Sequence, residues 1–65
     1  MIKVELEGNL VDVKVKGMNK VSDVISKLGI SVEEYIALLN GEVVTEHESV
    51  SSGDTLKFVR VWSGG

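Results

Sequence analysis

The chain has 65 residues, no cysteine and a formal net charge of −3. That length is one domain, spanning 1–65, which buries only roughly 60% of its unfolded surface and depends on a well-filled aliphatic core. The composition excludes disulfides, a cysteine nucleophile and a cysteine-ligated zinc site, and the interspersed charges and three scattered aromatics (Tyr35, Phe58, Trp62) argue against a nucleic-acid partner.

Residues 2–7 alternate, with Ile2, Val4 and Leu6 on one side and Lys3, Glu5 and Glu7 on the other, which predicts a half-buried strand. Gly8-Asn9 is the expected two-residue turn. Residues 10–16 alternate again, with Val11, Val13 and Val15 inward, so the chain opens with a β-hairpin. Gly17-Met18-Asn19 breaks the pattern. Val21, Val24, Ile25 and Leu28 then draw one apolar stripe along a short helix. Asp23 in its first turn and Lys27 in its last suit the helix dipole, and Gly29 supplies the left-handed stop.

Ser31 to Leu39 reads two ways. Ser31 with Glu34 forms a capping-box pattern, which favours a helix. The apolar run Tyr35-Ile36-Ala37-Leu38-Leu39 leading into Asn40-Gly41 and Glu42-Val43-Val44 favours a hairpin. The expectation is a tight turn at 31–34, then strands at 35–39 and 42–44. Thr45 and Glu48 suggest one helical turn over 46–49. Ser51-Ser52-Gly53-Asp54 is a loop, and the last strand covers about 55–61. The order β-β-α-β-β-β predicts an α+β mixed sheet packed on one helix, with the first and last strands parallel at its centre.

The chain ends in Trp62-Ser63-Gly64-Gly65, a tail expected to be flexible from about 62. Glycine passes through narrow channels and takes dihedrals closed to other residues, which suits a carboxylate delivered into another protein's active site. The other reading is an ordinary frayed terminus.

Leu39-Asn40-Gly41-Glu42-Val43-Val44 and Gly53-Asp54-Thr55-Leu56-Lys57-Phe58-Val59-Arg60-Val61, followed by Gly64-Gly65, together resemble the β-grasp fold of ubiquitin and its bacterial and archaeal relatives. The likeness covers essentially the whole chain. It points to the sulfur carriers of thiamine and molybdopterin biosynthesis (the ThiS and MoaD families) and to the small archaeal modifier proteins. Trp62-Ser63 before the glycines does not separate these subfamilies.

The resemblance implies a carrier rather than an enzyme. It implies no bound cofactor, ATP being consumed by a ubiquitin-activating-type partner that adenylates Gly65. A sulfurtransferase or cysteine desulfurase would then supply sulfur, giving a C-terminal thiocarboxylate. The recipient would be a cofactor synthase subunit or a tRNA-thiolation system. The alternative is a modifier joined through Gly65 to target lysines; a third reading is a non-covalent binding module. Gly64 gives access, and residues 62–65 reach at most roughly 14 Å when extended.

Partner docking is expected along Leu38, Lys57, Val59, Val61 and Trp62. Leu56 and Phe58 would point inward, leaving Lys57, Val59 and Val61 on the outer face; Leu38 joins them if Leu39 points in. An apolar patch beside the tail marks an interaction surface, although single exposed valines are normal on strands. A slip of one residue in strand 35–39 would reverse its faces.

Other candidates carry little. His47, between Glu46 and Glu48, lacks a second histidine or a cysteine to make a metal site. Glu33-Glu34 suits capping and solubility, since adjacent residues on a turn do not face each other. Arg60 either meets a partner's acid or keeps the strand wet. The surface lysines are ordinary. No apolar run approaches the roughly 18 residues of a membrane span, and the first residues form no signal-peptide block. The expectation is a soluble, cytoplasmic monomer with no membrane partner.

Overall fold

The computed structural model describes residues 1–14 and 20–61. The elements are β1 (Ile2–Leu6), β2 (Asn9–Val13), α1 (Val21–Leu28), β3 (Tyr35–Leu39), β4 (Glu42–Val44) and β5 (Thr55–Arg60). They form a five-stranded sheet in the order β2-β1-β5-β3-β4. β5 lies at the centre, parallel to β1 and antiparallel to β3, and both hairpins are antiparallel. This is the expected α+β, β-grasp architecture.

Alternation along β1 and β5 builds the core. Ile2, Val4, Leu56 and Phe58 are buried on one face, where Val21, Val24 and Ile25 of α1 join them. Ala37, Val13 and Val50 complete the buried cluster, with Leu6, Leu28, Ile30, Tyr35, Leu39 and Val44 packed around it. Tyr35 meets Phe58 edge to face, ring centroids 6.3 Å apart, a favoured aromatic geometry.

The helix ends where its sequence dictates. Gly29 adopts φ 70°, and its N–H and that of Ile30 reach back to the carbonyls of Ser26 and Ile25. This satisfies carbonyls that the last turn leaves without helical donors. At the start, the Asp23 carboxylate accepts from the Lys20 N–H at 3.0 Å. The next two amides turn to a distant loop: Val21 N–H donates to the Glu48 carbonyl and Ser22 N–H to that of Glu46.

Three expectations change. The first hairpin turns at Glu7-Gly8, with φ 49° and 83°, because Leu6 pairs with Asn9. Moving a two-residue loop by one position shifts the strand partner by two, which keeps every face the same. Apolar alternation therefore could not choose between the two registers. Secondly, Val11 lies opposite buried Val4 but remains 47% exposed, because β2 is an edge strand. Thirdly, residues 46–49 form no helix. A single turn carries Glu48 N–H to the Thr45 carbonyl, while the carbonyls of Glu46 and Glu48 are committed to α1. Val15, Lys16, Gly17-Met18-Asn19 and the tail Trp62 to Gly65 lie outside the described residues.

The second hairpin does turn at Asn40-Gly41, with φ 50° and 89°. A Cβ on Gly41 would meet nothing within 4 Å, so its demand is conformational rather than steric. Asn40 also fastens this turn to the start of β5. Its Oδ1 accepts from the Thr55 N–H (3.0 Å), its Nδ2 donates to Asp54 (3.2 Å), and its N–H donates to the Thr55 carbonyl (2.8 Å). Asp54 in turn accepts from the Ser51 N–H at 2.8 Å. The Ser51 N–H and then the Asn40 amide hold the Asp54 carboxyl below its ordinary value of 3.8, since both stabilise the charged form.

Two measurements check this junction. Asn40→Ala removes two side-chain hydrogen bonds and a residue tolerant of positive φ. It should cost about 1–2 kcal/mol, lowering Tm by several degrees in thermal unfolding. A carboxyl with a depressed folded pKa contributes stability above its unfolded value, lost as pH falls through the folded one. The Tm advantage of the native protein over Asp54→Asn should therefore be full at neutral pH and shrink as pH drops below 3.8; a difference that does not vary with pH would contradict the assignment.

Candidate functional site

The sheet's two faces differ because β5 alternates. Leu56 and Phe58 turn to the helix, and Lys57 and Val59 turn to the open side. Residues directly opposite on neighbouring strands share a face, so the register completes this side. Lys57 stands between Glu5 on β1 and Leu38 on β3, Val59 opposite Ile36, and Leu38 opposite Val43 on β4. Leu38 is thus on the open face and half-buried there, while Ala37 is buried and Leu39 packs against the core. Val61 falls on the open side by the same alternation. Its N–H donates to the Glu34 carbonyl at 2.8 Å, one further bond beyond the paired strand.

The result is an apolar strip of Ile36, Leu38, Val43, Val59 and Val61. Ile36, Val59 and Val61 are each about two-fifths exposed, and Val43 is 72% exposed. Lys57 borders the strip, its ammonium 3.4 Å from the Glu5 carboxylate. Four of the expected docking residues, Leu38, Lys57, Val59 and Val61, are therefore brought together on one face; Trp62 lies outside the described residues. Ile36 and Val43 are additions. Both were recoverable: Ile36 has the parity of Leu38, and a two-residue Asn40-Gly41 loop makes Val43 the partner of Leu38.

At the end of β5 the other parity carries charge. Arg60, on the side of Phe58, bridges two acids: Nη1 is 3.0 Å from Glu7 and Nη2 is 3.4 Å from Glu34. Its acid partners are thus within the molecule, on the β1–β2 turn and the turn before β3. The hydrogen bond to Glu7 raises the Arg60 pKa further, with the charges of Glu7 and Glu34 adding to it. Tyr35, directly opposite Arg60, has its phenol pKa raised by desolvation and then by the negative charge of Glu7.

Elsewhere the side chains offer little chemistry. His47 is on an exposed turn, 77% accessible, with Nε2 3.7 Å from Glu46. Among the described residues no group of three or more His, Asp or Glu side chains is placed to hold a metal ion. No helix among them is long and apolar enough to cross a membrane. What the geometry offers is an exposed apolar strip, a strand end held at residue 61 by its backbone bond to Glu34, and, in the sequence beyond it, four residues ending in Gly64-Gly65.

The model of the ThiS family matches residues 3–65, all but the first two positions and including both terminal glycines. Fold, strand order and this match agree: the chain belongs to the ThiS family, whose members are small sulfur carriers rather than enzymes.

Proposed function

We propose that this protein carries sulfur as a thiocarboxylate on Gly65, loaded by a partner adenylating enzyme of the ubiquitin-activating type. The observation that carries this reading is the apolar strip of Ile36, Leu38, Val43, Val59 and Val61, which runs to within four residues of Gly65. The family match through residue 65 supports it.

A carboxylate is a poor acyl donor, because its oxygen is a poor leaving group. Attack by the Gly65 carboxylate on the α-phosphate of ATP forms an acyl-adenylate and releases pyrophosphate. The terminal sulfur of a persulfide, held by a sulfurtransferase or cysteine desulfurase, attacks the acyl carbon and expels AMP. A thiol of the partner then cleaves the resulting S–S bond. The thiol is oxidised to a disulfide, and the carrier leaves as the thiocarboxylate. This chain contributes no acid, base or nucleophile beyond its terminal carboxylate. Its part is to dock and to present that group.

Docking must be close, because residues 62–65 span at most roughly 14 Å. The strip fits that need. Apolar residues at its centre give up water on contact, while Lys57 and Glu5 at its border set orientation. The sulfur goes to a cofactor synthase, with a thiamine-type pathway ahead of a molybdopterin-type one, or to tRNA thiolation.

Incubation with the cognate adenylating enzyme, ATP and a persulfide donor should raise the intact mass by the difference between sulfur and oxygen. Removing Gly64 and Gly65 should abolish the change. An unchanged mass together with a ladder of larger lysine-linked adducts would establish the modifier reading instead. Full function without the two glycines would leave only a non-covalent binding module. Val59→Glu should raise KM for the adenylating enzyme roughly tenfold with kcat little altered, because it removes binding common to ground and transition states.

A further inference from the structure

We infer that Arg60 is a positioning residue: clamped by Glu7 and Glu34, it holds the last turn of β5 against the body and so fixes where the acyl-bearing tail departs. This rests on the carrier reading above and adds a role that the docking strip does not supply.

Three observations meet at this point. Arg60 joins two separate turns, Glu7 at the β1–β2 hairpin and Glu34 before β3, at 3.0 and 3.4 Å. The neighbouring Val61 N–H is bonded to the carbonyl of that same Glu34 at 2.8 Å. Among the described residues, strand pairing of β5 ends at Tyr35 opposite Arg60, and the Val61 bond is the next backbone link to the body. The clamp and the Val61 backbone bond thus share one residue, Glu34.

Glu7 adds a separate argument. It adopts φ 49°, a region that asparagine and glycine tolerate and glutamate does not favour. The turn would be better served locally by asparagine. What glutamate supplies there is a carboxylate long enough to reach Arg60.

The arrangement contributes little to stability. All three side chains are about half-exposed, and exposed ion pairs of this kind are weak. Its consequence is geometric. With the clamp closed, residues 62–65 reach at most roughly 14 Å from the body; with Arg60 and Val61 released, six residues reach at most roughly 21 Å. A longer, less directed segment lowers the effective concentration of the carboxylate at the ATP α-phosphate and relaxes its alignment. Four of the five strip residues, Ile36, Leu38, Val43 and Val59, lie on paired strands and keep their places, so docking is largely preserved.

The test uses the full chain with its adenylating enzyme, in ATP–pyrophosphate exchange, and three variants. Arg60→Met keeps the stem and removes the guanidinium. The double variant Glu7→Asn with Glu34→Gln leaves Arg60 intact but unclamped, and places a favoured residue on the strained turn. Arg60→Lys retains one of the two ion pairs. The expected result is a kcat lowered roughly threefold by the first two, with KM within about twofold and Arg60→Lys intermediate. Thermal stability of the double variant should match or exceed that of the native chain. Amide exchange at Val61 in the free protein should quicken in both clamp-deficient variants, whatever the activity assay shows. An unchanged kcat would overturn the inference. So would a raised KM confined to Arg60→Met, which would make Arg60 a direct partner contact, or Val61 exchange at the native rate. Failure of the native chain to support any exchange, with Val61 still quickened in the variants, would count against the carrier reading rather than the clamp.

Discussion

The register of β5 is the constraint on which the rest of this molecule depends. The strand is hemmed in by β1 on one side and β3 on the other, so both rows of its backbone groups are committed. Its alternation divides Leu56 and Phe58 from Lys57 and Val59, and with them core from open face. A slip by one residue would bury a lysine and expose a phenylalanine. Burial of Leu56 and Phe58 resists that slip by roughly 1.5–3 kcal/mol each. The Asn40 side chain, bonded to the amide at the first residue of the strand, pins the same register from outside the core.

Much of this was legible because small β domains write their faces into alternation. Ile2-Val4-Leu6, Leu56-Phe58 and the stripe Val21-Val24-Ile25-Leu28 all announce the surfaces they bury. Asn40-Gly41 announces the second hairpin, and Gly29 announces the end of α1. The ambiguous stretch at 31–39 resolves as a turn and a strand: Ser31 accepts the Glu34 N–H to close the turn, and Tyr35 to Leu39 supply the antiparallel neighbour that β5 requires.

What escaped the sequence is non-local. The loop of the first hairpin was displaced by one position, because both placements keep the same faces. The turn at 46–49 looked like a helix because Thr45 and Glu48 carry a capping signature; nothing nearby shows that its carbonyls serve α1. Arg60 looked like a solvated or partner-seeking cation, since Glu7 and Glu34 are far from it along the chain. The link between Asn40 and Asp54 joins the two most informative motifs, yet neither names the other. Alternation did place Leu38, Val59 and Val61 together, and pairing across β3 and β4 then adds Ile36 and Val43.

The strand at the middle of the sheet is also the last of the described elements in chain order. Until Leu56 and Phe58 have left the ribosome, the opening hairpin has no parallel neighbour and the apolar side of α1 lacks the centre of its floor. The amides at the start of that helix wait as well, for carbonyls supplied by residues 46 and 48. Long-range pairing of this kind must overcome loop-closure entropy before its contacts form, which slows folding. A chain that stops before β5 therefore lacks the central strand on which its sheet is built.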